Sequence, residues 1–162
     1  QPSYSCLVIP VNHSSPPRVQ HWVSAGLPPS KLVVGLPTYG RSWSLSSSTN
    51  TSLGAPASGA GSAGVLTGEA GFLAYSEICQ KLEGGLWTEV VDPSGRMGPY
   101  AYGEGEWVGY DDPTMARVKA EYVLAQGLGG AMFWDLPSDD FRNTCGKVAY
   151  PIVRAVSDIL LS

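Results

Sequence analysis

Two continuous apolar runs and four stretches of helical periodicity divide this chain. The runs, Lys31 to Leu36 and Ala131 to Trp134, are typical of strands that are covered on both faces. Apolar residues at helical spacing predict four helices, over Pro17 to Ala25, Glu69 to Leu82, Pro113 to Ala125 and Pro151 to Leu161. The third helix has the clearest start, because Asp112 supplies an N-cap before Pro113, and its inward face is predicted to carry Met115, Val118 and Tyr122.

The middle of the chain has a different amino-acid composition. Ser42 to Gly68 is rich in Ser, Gly, Ala and Pro, which is typical of a disordered linker or of an ordered surface insertion. We favour the insertion, because strongly patterned sequence follows it. Three short stretches rich in Trp, Tyr and Val predict an antiparallel meander packed on one helix, and they are Leu86 to Val91, Met97 to Tyr102 and Glu106 to Tyr110.

The predicted order is therefore helix, strand, α+β insertion, helix, strand, helix. Helices that alternate with apolar strands require parallel pairing in an α/β layer or barrel. Two such strands cannot cover their own edges or fill a core. We expect further pairing partners, supplied by self-association or by an N-terminal barrel half that is missing here.

Composition narrows the classes of partner. The 162 residues are 43% hydrophobic, with a formal net charge of −4 and a pI near 5.0. That charge argues against a nucleic-acid partner, since only 10 Lys and Arg residues are spread along the chain. No apolar run approaches the roughly 20 residues that span a bilayer, and Gln1 to Pro10 does not resemble a signal peptide. A neutral or weakly charged ligand fits this composition better.

Cysteines and glycosylation tripeptides point to secretion. Asn12 and Asn50 both begin the Asn-x-Ser/Thr acceptor pattern, which is found in secreted proteins where disulfides persist. Of the three cysteines, we expect Cys79 to pair with Cys145, leaving Cys6 free or paired with a missing segment.

Several motifs in one order resemble glycoside hydrolase family 18, the family of chitinases and chitinase-like lectins. GLPTYGRSW from Gly35 and GLGGAMFWDLPSDDF from Gly127 resemble the seventh and eighth strands of its TIM barrel. Between them, LGAPASGAG, GEAGFLAYSEIC and PYAYGEGEWVGYDD resemble the chitinase insertion domain. The resemblance implies an α/β fold that is an incomplete (β/α)8 barrel portion, with barrel segments at residues 1–41 and 111–162 and an inserted α+β domain at residues 42–110.

The resemblance also implies a substrate class and a catalytic motif that this sequence lacks. Family members hydrolyse β-1,4-linked N-acetylglucosamine polymers by a substrate-assisted route, in which a Glu at the end of an Asp-x-x-Asp-x-Asp-x-Glu motif is the general acid. No stretch of this sequence has that motif, and Asp135 to Asp140 has no Glu at the required place. We therefore assign no catalytic residue, no metal and no cofactor to this chain.

The resemblance implies a sugar-binding wall at five positions. Trp134 matches the indole that floors the cleft, although a lone Trp on an apolar strand is more often a core aromatic. Tyr39 and Arg41 would project to one side as donors, the alternative for Arg41 being a surface ion pair. Glu69 matches a cleft carboxylate, or else serves a helix dipole. Met132 is expected inside the barrel beside Trp134. Packing roles are expected for five other aromatic residues: Tyr100, Tyr102, Trp107, Trp22 and Trp43.

Two functional hypotheses follow from this. One is a truncated chitinase-like protein that binds chitin or chito-oligosaccharides without hydrolysis. The other is the C-terminal portion of an active secreted chitinase, whose remaining half is lost or supplied by another chain.

Overall fold

A computed structural model describes residues 7–10, 15–146 and 148–162. The strands are β1 (Leu7–Pro10), β2 (Leu32–Pro37), β3 (Tyr39–Leu45), β4 (Ala57–Ala60), β5 (Phe72–Ala74), β6 (Thr88–Val90), β7 (Tyr100–Gly103), β8 (Glu106–Gly109) and β9 (Gly130–Trp134). The α-helices are α1 (Ser15–Ser24), α2 (Tyr75–Glu83), α3 (Pro113–Ala125) and α4 (Pro151–Leu160). Cys6 and Asn12, for which the sequence analysis makes predictions, lie outside the described residues.

The first sheet contains three parallel strands in the order β1-β2-β9. Gly35 of β2 is in register with Met132 of β9, and Pro37 is in register with Trp134. The two apolar runs therefore lie side by side, as the sequence predicts. β1, which the apolar pattern does not single out, pairs with the other edge of β2.

One face of this sheet packs against helices. Leu32, Val34 and Leu36 alternate along β2 and are almost fully buried. Their partners come from α1, α3 and α4, and the buried cluster is Val19, Leu32, Val34, Leu36, Ala116, Ala120, Val123, Ile152, Ala155 and Val156. Burying a Leu or Val side chain contributes about 1.5–3 kcal/mol, so this cluster anchors the sheet. These helices do not cover the opposite face of β2 and β9.

The second sheet is antiparallel and has six strands. Its order is β4-β3-β8-β7-β6, and β5 also pairs with β3. The predicted meander of three strands is confirmed as β6, β7 and β8. One face packs on α2 through a second buried cluster, made by Leu73, Ile78, Trp87, Ala101, Val108 and Tyr110.

The predicted helix over Glu69 to Leu82 is wrong in its first turn and a half. Residues before Tyr75 form β5, which pairs with β3, and the helix begins only at Tyr75. Gly71 has a φ of 77°, a left-handed conformation that ends any helical path there. The carboxylate of Glu77 accepts a hydrogen bond from the backbone N–H of Ala74 at 2.9 Å and so satisfies a donor at the true helix start.

The segment GLPTYGRSW is two strands rather than one. β2 ends at Pro37, and β3 begins at Tyr39 in the antiparallel sheet. Between them lies Thr38, which is buried and whose hydroxyl donates to the carbonyl oxygen of Asp135. The division into domains at residues 41 and 110 stays a prediction, and the change of sheet falls at Thr38.

The Ser- and Gly-rich stretch contains more regular structure than its composition indicates. Ser42–Leu45 continues β3, and Ala57–Ala60 forms the exposed edge strand β4. Asn50 lies between these strands and is exposed, as a glycosylation acceptor must be. Its modification stays a prediction.

The start of α3 and the disulfide are as the sequence predicts. The side chain of Asp112 accepts a hydrogen bond from the N–H of Met115 at 2.7 Å, which confirms the predicted N-cap of α3. Met115 is buried, but Val118 is 40% exposed and does not belong to the buried clusters. Cys79 and Cys145 form the expected disulfide, with their Cα atoms 6.1 Å apart. Within the described residues, every helix is too short or too polar to cross a bilayer.

Candidate functional site

A cavity of about 1090 Å³ opens where the carboxyl ends of β2 and β9 meet the antiparallel sheet. Four of the five predicted sugar-binding residues line it, and they are Tyr39, Arg41, Met132 and Trp134. The carboxyl ends of parallel strands are the usual place for a ligand site in α/β proteins. The structure therefore brings together side chains that are more than 90 residues apart in sequence.

Trp134 is the most prominent of these side chains. It is the last residue of β9 and is 65% exposed, so it is not a core aromatic. Met132 lies two residues earlier, on the same face of the strand, and is half-buried. An indole held at a strand end with its surface open to a cavity can stack on a flat, partly apolar ligand.

The guanidinium of Arg41 lies beside a stacked pair of aromatic rings on the opposite wall. Tyr39 and Phe72 stack with their ring centroids 4.5 Å apart. The guanidinium carbon of Arg41 is 5.3 Å from the centroid of the Tyr39 ring and 5.1 Å from that of Phe72. These contacts hold the planar guanidinium in one orientation, with donors available for a ligand oxygen.

Phe72 joins this wall through strand pairing that the sequence pattern hides. β5 places Phe72 in register with Arg41, on the same face of the sheet. Apolar spacing suggests a helical residue there instead. The signal that could have found it is the Gly71 that precedes a short apolar triplet, which is typical of a turn into a strand.

Glu69 lies at the rim of the site and does not line the cavity. Its carboxylate is 3.8 Å from a guanidinium nitrogen of Arg41, and the two side chains are 67% and 53% exposed. The surface ion pair considered for Arg41 is therefore present, and such a pair contributes at most about 1 kcal/mol. Glu69 is outside α2, so it has no helix dipole to complement.

A buried ion pair forms one end of the cavity. Lys119 of α3 donates to the carboxylate of Asp111, and both residues are buried and line the cavity. Burial raises the pKa of Asp111, and the neighbouring Lys119 ammonium opposes that rise without cancelling it. The ammonium group of Lys119 neutralises the charge of this carboxylate. The ion pair forms a polar part of the cavity wall.

Two tyrosines near the ion pair are held in their neutral form. The hydroxyl of Tyr110 donates to the Glu89 carboxylate, and burial together with that hydrogen bond raises the pKa of Tyr110 far above its usual value. Burial likewise raises the pKa of Tyr75. Both therefore remain hydrogen-bond donors at any physiological pH.

The acidic stretch after β9 has structural partners. Asp139 accepts hydrogen bonds from the N–H groups of Ile152 and Val153 at the start of α4, at 3.1 and 3.0 Å. Asp140 accepts from Thr144 and from the N–H of Cys145. Burial raises the pKa of Asp139, whereas for Asp140 these hydrogen bonds outweigh burial and lower the pKa. Neither Asp139 nor Asp140 lines the cavity.

Metal binding finds little support among the described residues. Their one grouping of potential ligands consists of Cys79, Asp140 and Cys145. The two sulfur atoms are joined in the disulfide, so they cannot act as thiolate ligands.

The aromatic residues assigned to packing are placed differently by the structure. Tyr100 and Trp107 line the same cavity and do not belong to the buried cluster on α2. Trp43 is 41% exposed and contacts Trp107, with ring centroids 5.7 Å apart. Trp22 on α1 is 42% exposed. The expected packing contacts of Tyr100, Trp107 and Trp43 are therefore present, but Tyr100 and Trp107 also line the cavity.

Sequence comparison links the chain to chitinases. The family model described as "Glycosyl hydrolases family 18" matches residues 7–139. The chain is 45% identical over 159 residues to "Probable chitinase 10" of Drosophila melanogaster, covering 98% of this chain and 7% of that protein. It is 45% identical over 139 residues to human "Chitinase-3-like protein 2", covering 85% of this chain and 35% of that protein. This chain thus spans a small part of each relative.

Solved structures give the same relationship. Catalytic domain 2 of the Group II chitinase of Ostrinia furnacalis matches with a TM-score of 0.86 and 44% identity, over 88% of this chain and 38% of that one. Human YKL-39, described as a pseudo-chitinase with retained chitooligosaccharide binding properties, matches with a TM-score of 0.82 and 43% identity, over 89% of this chain and 39% of that one. The chain therefore belongs to glycosyl hydrolase family 18.

Proposed function

We propose that this chain binds chitin or chito-oligosaccharides along the cavity and does not hydrolyse them by itself. The observation that carries the proposal is the exposed indole of Trp134 at the end of β9, in one cavity with Tyr39 and Arg41. Two relatives with solved structures are described with chito-oligosaccharides, the Ostrinia furnacalis domain as a mutant complexed with (NAG)5 and YKL-39 in the presence of GlcNAc4. Secretion is part of the same proposal and is consistent with the disulfide.

The chemistry of the two walls suits an amino sugar. A pyranose presents an apolar face of C–H groups, which an open indole can cover, and a rim of hydroxyl and acetamido oxygens, which need donors. Tyr39 offers a hydroxyl, and Arg41 offers five N–H donors in a fixed plane. The ligand is uncharged, which agrees with a cavity whose internal carboxylate, Asp111, is neutralised by Lys119.

The absence of hydrolysis rests on the carboxylates near the cavity. Asp111 is bound to Lys119, Glu69 pairs with Arg41, and the family's acid motif does not occur in the sequence. General acid catalysis contributes about 10²–10⁴ in rate. A chain without that group should bind the glycan without measurable turnover.

A second candidate function is that of one portion of an active chitinase. The three-stranded parallel sheet favours it, because β1 and β9 each leave one edge unpaired within the described residues. A further segment with the acid motif would pair with these edges and complete the cleft. A fluorogenic chito-oligosaccharide assay separates the candidates when the purified chain is tested alone and together with a segment that carries the acid motif. Turnover that appears only with the added segment supports the second candidate, and the absence of turnover in both samples supports binding without catalysis.

Trp134→Ala should weaken binding of a GlcNAc oligomer by about 10- to 100-fold, the loss typical of a central aromatic anchor. Stability should change little, because the side chain is 65% exposed. Isothermal titration with the GlcNAc hexamer measures the affinity. The matched control is Trp22→Ala, which removes an indole of 42% exposure from α1, outside the cavity, and should leave affinity unchanged. Equal loss in both variants would contradict the proposal.

A further inference from the structure

Thr38 lies at the one-residue junction between the two sheets, because β2 ends at Pro37 and β3 begins at Tyr39. It is fully buried. Thr38 does not line the cavity, so it does not contact a ligand there directly. A buried hydroxyl costs free energy unless it is hydrogen-bonded, so the partners of this residue indicate what it does.

Each hydrogen-bonding group of Thr38 has a partner. Its backbone N–H donates to the carbonyl oxygen of Trp134 at 3.2 Å, and its hydroxyl donates to the carbonyl oxygen of Asp135. Its own carbonyl oxygen accepts a hydrogen bond from the backbone N–H of Tyr75 at 3.0 Å. Thr38 therefore binds two consecutive carbonyl groups at the end of β9 and also the first residue of α2.

The position of the end of β9 depends on these hydrogen bonds. The register between β2 and β9 ends with Pro37 opposite Trp134, and proline has no N–H to donate. Within the described residues, β2 is the only strand that pairs with β9. The indole of Trp134 is 65% exposed, so packing around it is limited and its direction follows from the backbone that Thr38 binds.

The hydrogen bond from Tyr75 connects this strand end to the other wall of the cavity. The ring of Tyr75 packs against both buried clusters, so it joins the parallel sheet to the antiparallel sheet. Tyr39, which follows Thr38 directly, and Arg41 both belong to β3 in the antiparallel sheet. A ligand that contacts both walls needs a fixed spacing between them, and hydrogen bonds behind a site are what provides it.

The hydroxyl of Thr38 is not needed to satisfy its acceptor. The carbonyl oxygen of Asp135 also accepts a hydrogen bond from the N–H of Ser138 at 3.2 Å. Valine has nearly the shape of threonine, and at this position it would leave that carbonyl with a partner and would bury no hydroxyl. Stability alone therefore gives little reason for a hydroxyl here, whereas its geometric effect on the end of β9 does.

We propose that Thr38 is a positioning residue whose hydroxyl sets the orientation of the Trp134 indole. The orientation matters because the opposite wall, with Tyr39 and Arg41, has to reach the same ligand. The inference rests on the proposed function and gives a role in binding to a residue that does not contact the ligand. Without the hydroxyl, the end of β9 is less constrained, and the indole spends less time in the orientation that stacks on a sugar.

Three variants at this position test the inference. Thr38→Val removes the hydroxyl and keeps the shape, Thr38→Ala removes both the hydroxyl and the methyl group, and Thr38→Ser keeps the hydroxyl. Isothermal titration with the GlcNAc hexamer should show about a fivefold loss of affinity for the valine and alanine variants, as expected for one hydrogen bond. The serine variant should bind as the unmodified chain does. The thermal unfolding midpoint of Thr38→Val, followed by circular dichroism, should fall by only about 2–4 °C.

A double-mutant cycle separates positioning from a general structural effect. Adding Thr38→Val to Trp134→Ala should not weaken binding further, because the indole through which Thr38 acts is then absent. Equal losses in the two backgrounds would overturn the inference. An unchanged affinity in Thr38→Val, or a loss in Thr38→Ser as large as that in Thr38→Val, would overturn it as well.

The same experiments distinguish a failure of this inference from a failure of the proposed function. If the unmodified chain does not bind the hexamer, or if Trp134→Ala binds it equally well, both proposals are overturned. If Thr38→Val and Thr38→Ala do not fold, the residue supports the fold itself, and only the positioning role is overturned.

Discussion

Replacing Lys119 by methionine is expected to destabilise the protein by about 3–5 kcal/mol at neutral pH, because it leaves the buried carboxylate of Asp111 without its counter-charge. Methionine keeps most of the volume of the lysine stem, so the loss measures charge rather than packing. Urea denaturation gives the free energy of unfolding. The double variant Lys119→Met with Asp111→Leu removes both charges and should recover most of the stability, since an apolar pair of similar volume needs no counter-charge.

The pH dependence of this loss has a definite sign. Burial already raises the pKa of Asp111, and removal of the Lys119 ammonium eliminates the main influence that lowers it. A carboxyl group with a higher pKa in the folded state favours folding below its unfolded pKa of about 3.9 and loses that contribution as pH rises through the folded value. The stability difference between Lys119→Met and the unmodified chain should therefore shrink on acidification. A difference that is constant with pH would contradict the assignment.

Local signals in the sequence were enough for the elements that depend on local chemistry. Asp112 and Pro113 specify the start of α3 by a cap and a fixed φ, and the structure has the helix where these residues place it. The continuous apolar runs predict buried parallel strands, and β2 and β9 pair accordingly. In both cases the residues that determine the structure are adjacent in sequence.

The wrong predictions concern segments whose structure depends on contacts with residues far away in sequence. The stretch from Glu69 has apolar spacing compatible with a helix, but pairing with β3 turns Phe72–Ala74 into a strand. The alternation in β7 and β8 shows that each strand has two faces. Only the position of α2 decides that Ala101 and Val108 are buried and that Tyr100 and Trp107 face the cavity. The alternation of side chains indicates a strand with two different faces, but it does not indicate which face is covered by another part of the protein.

The site was predictable to the extent that strand ends determine it. Tyr39 and Arg41 follow the first apolar run, Met132 and Trp134 belong to the second, and all four line the cavity. Glu69 lies on a loop, where the sequence specifies no strand end, and it reaches Arg41 only at the rim. The sequence does not predict Tyr100 and Trp107 at the cavity, because their position there depends on the register of three strands.

Replacing Cys79 and Cys145 together by alanine is expected to lower the free energy of unfolding by about 4 kcal/mol, since the disulfide closes a loop between residues 66 positions apart. Alanine is preferred to serine because both sites are buried and a hydroxyl would lack a partner. The bridge joins α2, which supports the antiparallel sheet, to the segment after β9, so it links the two walls of the cavity.

The same loss should appear when the unmodified chain is reduced, and urea denaturation with and without dithiothreitol measures it. The double alanine variant is the control for Cys6 and for general effects of the reductant, because its stability should not respond to dithiothreitol. Oligosaccharide affinity should fall less than stability, since the sugar-binding residues lie on strands that keep their own pairing. A stability loss below about 1 kcal/mol would mean that other contacts between α2 and the segment after β9, such as the hydrogen bond from Gln80 Nε2 to Thr144 Oγ1, rather than the disulfide, hold the two walls together.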